Sequence, residues 1–358
     1  MRVDRPKKLL EMAARDISGA FATRFCAIGV ELGLFKEICK LGPVTSEQLA
    51  DATDFNERYI REWIYGTALA GYIEFDKVTR KVFLTKEQKM LLADPGGRFS
   101  QYGAFQVANS AMVPYEKLKS AFRNGGGLSF ETYPHELWNG LDNTGCIRYR
   151  NFLMHDWLPK ITITREKLEK GVSFADFGCG VGRSTIELAK EFPQSTFYGF
   201  DAYDKNIETA KVYASESGVD KNTKFMHWTV SEGSPGVFDI VAAFDLIHDL
   251  PDPEEGLRII RNSMNKDAIF LLMDIESTND PMDNSGPLTL FKLGMSLHFC
   301  MTTAISQGGT GMGTVGLSPK VLTELCNKVG FGQIKKIDIN HPLNCLYEIS
   351  KQMSAAEN

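Results

Sequence analysis

Ser173-Phe-Ala-Asp-Phe-Gly-Cys-Gly-Val-Gly-Arg-Ser184, followed by Tyr198-Gly-Phe-Asp201, decides how the rest of the chain is read. Val172 to Phe177 is a short apolar run ending in glycines. From Arg183 to Phe192 the apolar residues Ile186, Leu188 and Ala189 fall at helical spacing. Ser195 to Phe200 is a second run, rich in β-branched and aromatic residues and closed by the carboxylate of Asp201. Strand, glycine turn, helix, strand and acid form the opening unit of a doubly wound, nucleotide-binding sheet.

The glycine spacing separates the ligands that use such a unit. A dinucleotide turn reads Gly-x-Gly-x-x-Gly, its third glycine admitting the helix to the strand. Here Gly178, Gly180 and Gly182 give Gly-x-Gly-x-Gly, Arg183 stands where that third glycine belongs, and Asp176 lies two residues before the first. The pattern resembles motif I of the class I S-adenosylmethionine (SAM)-dependent methyltransferases. SAM carries no phosphate, so the turn need only offer bare backbone, which glycine does by lacking a Cβ. Carboxylates suit a ligand bearing an ammonium and a sulfonium. By the resemblance Asp176, Gly178, Gly180 and Gly182 contact SAM, and Asp201 accepts from the ribose hydroxyls.

Composition sets the frame. With 358 residues, 43% hydrophobic and 24% charged, the chain is expected to be globular and to hold two domains. A net charge of −5 gives no sign of a nucleic-acid partner. No stretch reads as apolar for long enough to span a bilayer, and the N-terminus leads into no signal-type core, so no membrane association is expected. Seven scattered cysteines without a Cys-x-x-Cys pair point to reduced thiols in a cytoplasmic protein, and six histidines without His-x-x-x-His spacing imply no metal.

Upstream, residues 8–40 carry helical periodicity, Val44 and Thr45 open a second helix, and Asn56 opens a third. Tyr72–Phe75 and Lys81–Leu84 then read as a hairpin. Three helices and a hairpin make a winged-helix module over residues 1–95. Arg58 and Arg61 on its candidate recognition helix interleave with Glu57 and Glu62, whereas duplex binding calls for a basic stripe. Homodimerisation and closing of the active site are therefore expected of it, as in many small-molecule methyltransferases it resembles. Residues 96–165 are dense in aromatic residues and read as a helical connecting region. Tyr133, Trp138 and His155 there are candidates for an acceptor pocket.

From 166 to 358 the pattern is α/β, with strands at 223–230, 237–245 and 267–274 and a closing antiparallel pair at 333–339 and 345–350. The count of seven, with one strand reversed at the edge, is that of a class I methyltransferase sheet. Ligand contacts belong at the carboxyl ends of its strands. Thr229 and Ser231 follow the third, where the family often places an acid. Asp245 ends the fourth and is read as a further cofactor contact. His248 and Asp249 come just beyond it, before the helix that Asp252 and Pro253 open. A hydroxyl or amine acceptor must lose a proton, and histidine is the natural base at neutral pH. A His-Asp pair here resembles the plant-type and bacterial O-methyltransferases, in which that histidine is the general base; capping a loop or contacting SAM are the plainer roles. His298 and Met301, one helical turn apart and followed by five glycines between 308 and 316, are further candidates for the acceptor pocket.

Taken whole, the chain is similar to a widespread family of SAM-dependent methyltransferases that join a winged-helix module to a class I catalytic domain. The resemblance implies a SAM-dependent methyltransferase with a small-molecule acceptor. A SAM-responsive DNA-binding regulator, a catalytically silent subunit and a NAD-dependent oxidoreductase are the rival readings. Arg183 speaks against the last.

Overall fold

The computed structural model describes residues 4–351. The chain folds as two units. One takes the residues up to 113 together with 134–147, and the other takes 114–133 together with the chain from 148 onward.

The first unit is built as its helix signals specify. The helix Asp4–Glu31 breaks at Gly33, whose φ of +70° starts Leu34–Leu41 in a new direction. Thr45 caps Ser46–Thr53 with a full capping box, and Asn56 caps Glu57–Leu69. The hairpin is small, β1 (Glu74–Phe75) against β2 (Val82–Phe83). Its core gathers Phe35, Leu49, Ile60, Trp63, Ile64 and Val82. Gly29 is required there, because a Cβ would stand 2.4 Å from the Phe35 ring. The stretch 96–165 is shared between the units. Its helices Tyr102–Ala111 and His135–Arg148 cross where neither Gly103 nor Gly140 presents a side chain, a Cβ on Gly103 lying 2.5 Å from the Gly140 carbonyl oxygen.

The second unit is a seven-stranded sheet comprising β3 (Ser173–Phe177), β4 (Thr196–Asp201), β5 (Thr223–His227), β6 (Phe238–Phe244), β7 (Met264–Ile275), β8 (Phe331–Ile337) and β9 (Asn344–Lys351), in the order β5-β4-β3-β6-β7-β9-β8. Strands β3 to β7 are parallel. The reversed strand is not at the edge as expected. β9 pairs antiparallel with both β7 and β8, so it lies one place in and β8 forms the border. β9 pairs along Ile269–Ile275 on one side and along Phe331–Ile337 on the other.

Both faces of this sheet are covered, and alternate residues divide between them. Phe174, Phe197, Ile240 and Ala242 pack with Ile186, Leu188 and Ile207 on one side; Phe177, Phe200, Val241, Ala243 and Phe270 pack with Leu257, Ile260 and Leu322 on the other. The chain leaves β3 toward β4 on one flank, and β6 lies on the other. The carboxyl ends of β3, β4, β6 and β7 therefore open onto the switch point at which such sheets take ligands.

One helical run, Leu288–Ser306, is long and apolar enough to cross a bilayer by length and composition, which the sequence reading did not register. Phe299, Cys300, Thr302, Thr303 and Ala304 within it are buried.

Close approach of helix to sheet at Gly182 is one of the exacting packing constraints of this unit. Its φ is +77°, and a Cβ would fall 2.6 Å from the Phe225 ring and 3.1 Å from the Ala210 methyl. Gly182→Val should cost about 2 kcal/mol or more through strain and overpacking. Thermal unfolding followed by circular dichroism should place its midpoint roughly 4–8 °C below the wild type.

Candidate active site

Asp201, at the end of β4, organises the turn. Its Oδ2 accepts from the Gly180 amide at 2.9 Å, and its Oδ1 accepts from the Tyr203 amide at 2.9 Å and from Asn206 Nδ2 at 3.1 Å. The Gly178 and Cys179 amides both donate to the Phe200 carbonyl, at 2.7 and 3.0 Å. All three glycines have φ between +55° and +77°. They are not equivalent: a Cβ on Gly178 would strike Leu246 at 2.8 Å, whereas one on Gly180 meets nothing within 4 Å. Gly180 is the bare backbone facing open space.

Asp176 is fully buried inside β3. Its Oδ2 accepts from Ser184 Oγ at 2.5 Å and Thr185 Oγ1 at 2.9 Å, while its Oδ1 is buried without a partner. Burial pushes its carboxyl up to about 6, against the two hydroxyls that favour the ionised form. Asp201 is also raised, by burial first, despite its three donors. An orphaned carboxylate oxygen and a bare glycine, side by side at the switch point, fit a ligand with an ammonium group and an adenosine-like body.

Other expected contacts are placed differently. Asp245, beyond β6, adopts φ +54°, an unusual conformation for a non-glycine residue. Its Oδ2 pairs with Arg148 and its Oδ1 accepts from Asn344 Nδ2 at 2.8 Å, so both oxygens are engaged within the protein. Arg148 and Asn344 carried no motif and were missed by sequence reading. Thr229 and Ser231 are hydrogen-bonded to each other at 2.8 Å, and Thr229 closes a capping box with Glu232.

His248 is 2% exposed, on the single turn Ile247–Asp249. Its Nδ1 lies 2.6 Å from Asp274 Oδ1, at the end of β7. Asp274 was absent from the sequence reading; it becomes relevant only because β6 and β7 are neighbours. With Nδ1–H donating to Asp274, Nε2 faces Asp249 Oδ1 at 3.3 Å and the Cys300 thiol. Burial disfavours the imidazolium, but the Asp274 and Asp249 carboxylates outweigh it and hold the ring well above the ordinary histidine range. Burial raises the Asp249 carboxyl, and it pushes the Cys300 thiol up to about 11.

Cys300 closes a π-helical turn, Ser296–Cys300, in the run from Pro287 to Ser306. His298 lies in the same turn, its Nδ1 2.9 Å from the Gly294 carbonyl, and Met301 follows it. Tyr133 is buried edge-on to Phe299, with its hydroxyl donating to the His298 carbonyl, so it braces this segment. His155 is exposed on the turn Tyr149–Trp157, and Trp138 lies in the first unit. The glycine loop is packed tightly: a Cβ on Gly309 would meet Pro251 at 2.4 Å, and one on Gly313 would meet Ser296 Oγ at 2.3 Å.

Comparison with known proteins finds matches to both parts of the chain. Residues 168–299 match a family described as "Methyltransferase domain", and residues 20–94 match a "Rv2258c-like winged HTH domain". Ubiquinone biosynthesis O-methyltransferase of Rickettsia felis is 26% identical over 151 residues, 42% of this chain and 60% of that one. The counterpart in Caulobacter vibrioides is 30% identical over 30% of this chain and 43% of its own length. The chain thus spans about 60% or less of these curated relatives. Among solved structures, human N-acetylserotonin methyltransferase in complex with SAM aligns with a TM-score of 0.73 at 16% identity, over 99% of both chains. Mitomycin 7-O-methyltransferase aligns at 0.69 and 19% identity, over 97% of this chain and 99% of that one. The chain carries a class I methyltransferase domain behind an N-terminal winged helix-turn-helix domain.

The Asp176 carboxyl supplies a pH test with opposed signs. If its ionised form holds the ammonium of the ligand, S-adenosylhomocysteine affinity by calorimetry should fall up to about tenfold as pH drops from 7 to 5. Asp176→Asn should bind weakly with a flat profile. Stability moves the other way: a buried carboxyl raised above its unfolded value gains proton-linked stability as pH falls from about 6 toward 4. The wild-type melting temperature should therefore improve relative to Asp176→Asn over that window.

Proposed function

From a class I methyltransferase domain joined to a winged helix-turn-helix module, we propose that this protein is a methyltransferase that moves the methyl group of SAM to a small-molecule acceptor. The observation that carries the reading is one row of strand ends bearing both a donor cradle, formed by Gly180, Asp176 and Asp201, and a buried imidazole held by a carboxylate, His248 with Asp274. The O-methyltransferase names of the curated relatives and structural neighbours favour an oxygen acceptor.

In this reading Asp201 accepts from the ribose hydroxyls, giving up its hold on the Gly180 amide or sharing it, and Asp176 Oδ1 takes the ammonium. SAM, when bound, supplies an electrophilic methyl on a sulfonium. The protein's own part is to seat the acceptor and take its proton. Asp274 fixes the His248 tautomer so that Nε2 is the atom that accepts. At rest the flanking carboxylates favour the protonated ring, so turnover rises with pH as that proton leaves. Asp249 adds to the same field. His298 and Met301 stand on the segment that bears Cys300 and are proposed to line the acceptor side.

The winged helix is proposed to serve assembly rather than duplex binding. Arg58 and Arg61 pair with Glu62 and Glu57 of their own helix, which leaves no free basic stripe on it. Leu9, Leu10, Ile17 and Phe21 are exposed on Asp4–Glu31, as a homodimer surface would require. Free cysteines fit a cytoplasmic setting.

His248→Ala should retain S-adenosylhomocysteine affinity within about twofold and lose 10²-fold or more in kcat, the usual size of a lost general base. Retained turnover would remove the base assignment. Asp274→Asn withdraws a negative charge from the ring and lowers its pKa. The rising limb of its pH–rate profile should therefore move to lower pH, with a reduced plateau.

A further inference from the structure

We propose that His248 Nε2, Asp249 Oδ1 and Cys300 Sγ form a binding site for one divalent cation of the zinc class, with a fourth position open toward the acceptor. The inference rests on the reading that the acceptor is activated at His248, and it assigns that activation to a metal-assisted centre.

Four observations meet here. The three ligand atoms lie within 4.8 Å of one another. The edge that is resolved fits: Nε2 to Oδ1 is 3.3 Å, and two ligands about 2.0–2.1 Å from a tetrahedral zinc stand about 3.3 Å apart. Asp249 Oδ1 is buried without a hydrogen bond and faces the ring nitrogen as an ion pair when the ring is protonated. A buried carboxylate oxygen without a hydrogen bond costs free energy that a cation would recover. Finally, the opposite ring nitrogen, Nδ1, is engaged by Asp274 at 2.6 Å. That is the carboxylate–histidine arrangement that orients an imidazole and strengthens it as a ligand.

The donor set selects the metal. A thiolate with an imidazole and one carboxylate suits zinc and its thiophilic neighbours, whereas magnesium and calcium prefer oxygen alone. Cys300 is delivered by the π-helical turn Ser296–Cys300, a local insertion that re-aims side chains and recurs at functional sites. Three protein ligands would leave the fourth position to water or substrate, the pattern of catalytic rather than structural zinc.

In this arrangement the acceptor's hydroxyl or thiol coordinates as its anion after its proton passes to water. That anion then attacks the methyl carbon as the carbon–sulfonium bond breaks, its electron pair staying on sulfur. The products are the methylated acceptor, S-adenosylhomocysteine and one proton. The Nε2 lone pair is engaged by the metal, so the cation takes over the activating role of the free imidazole.

The experiment uses the full-length protein purified without chelators. Plasma emission should find about one zinc per chain, and cobalt added to chelator-treated protein should give a thiolate-to-cobalt charge-transfer band in the near ultraviolet. Cys300→Ser should abolish that band with its far-ultraviolet circular dichroism unchanged, and Asp249→Asn should weaken cobalt binding tenfold or more. Absence of metal together with absence of the band in the wild-type protein would overturn the site. If S-adenosylhomocysteine binding and the His248→Ala loss persisted in that case, methyl transfer with a free histidine base would stand. Failure of S-adenosylhomocysteine binding beside an intact cobalt band would instead sink the methyltransferase reading and leave the metal site upheld.

Discussion

The glycine turn after β3 hangs from one carboxylate. Asp201 ends β4, and through Gly180, Tyr203 and Asn206 it ties the glycine turn after β3 to the first turn of the next helix. A buried acid between two strand ends is costly unless its oxygens are satisfied, so the turn is shaped around it. The glycines answer that demand differently. Gly182 yields space to Phe225, Gly178 to Leu246, and Gly180 leaves its space free. Only Gly180 of the three has open space where a Cβ would stand.

Most of this was legible in the sequence because it is local. The spacing of three glycines, an acid two residues before them and another at the next strand end sit within 26 residues, and their geometry follows from strand, turn and helix alone. Helix starts were equally legible at Thr45 and Asn56, where a side-chain cap writes the boundary into the sequence. What escaped was non-local. The place of β9 depends on which neighbour its backbone pairs with, and alternation of apolar residues serves an edge strand and an inner one alike. Asp274 and Cys300 reach His248 from 26 and 52 positions away, and no periodicity signals a meeting made by sheet order and a π-helical turn. Tyr133 has a contact that the sequence does not signal. An aromatic with a hydroxyl suits a pocket, but here the hydroxyl has a backbone partner.

The unsatisfied polar atoms sort the site better than its motifs do. Of the acids at these strand ends, Asp245 has both oxygens engaged, by Arg148 and Asn344, and its strained backbone is held by that pairing. Asp176 Oδ1, Asp249 Oδ1 and Asp274 Oδ2 are buried without a hydrogen bond. Native interiors leave few such groups, and those that persist mark strain, catalysis or a missing ligand. Asp176 belongs with the glycine turn by its place on β3, whereas Asp249 and Asp274 flank one imidazole on opposite sides.

That flanking sets a chemical problem of its own. A carboxylate faces each nitrogen of the His248 ring, Asp274 at Nδ1 and Asp249 at Nε2. A simple histidine base would be better served by one carboxylate, enough to fix the tautomer without trapping the proton. The second acid and the thiol become intelligible if something positive other than a proton sits among them. Asp274 then orients the ring from behind, Asp249 and Cys300 complete the ligand set in front, and the field that hinders proton release becomes the field that holds a cation. The same three side chains serve either chemistry. What separates the two is whether the charge they were built to neutralise arrives with the acceptor's proton or resides there as a metal.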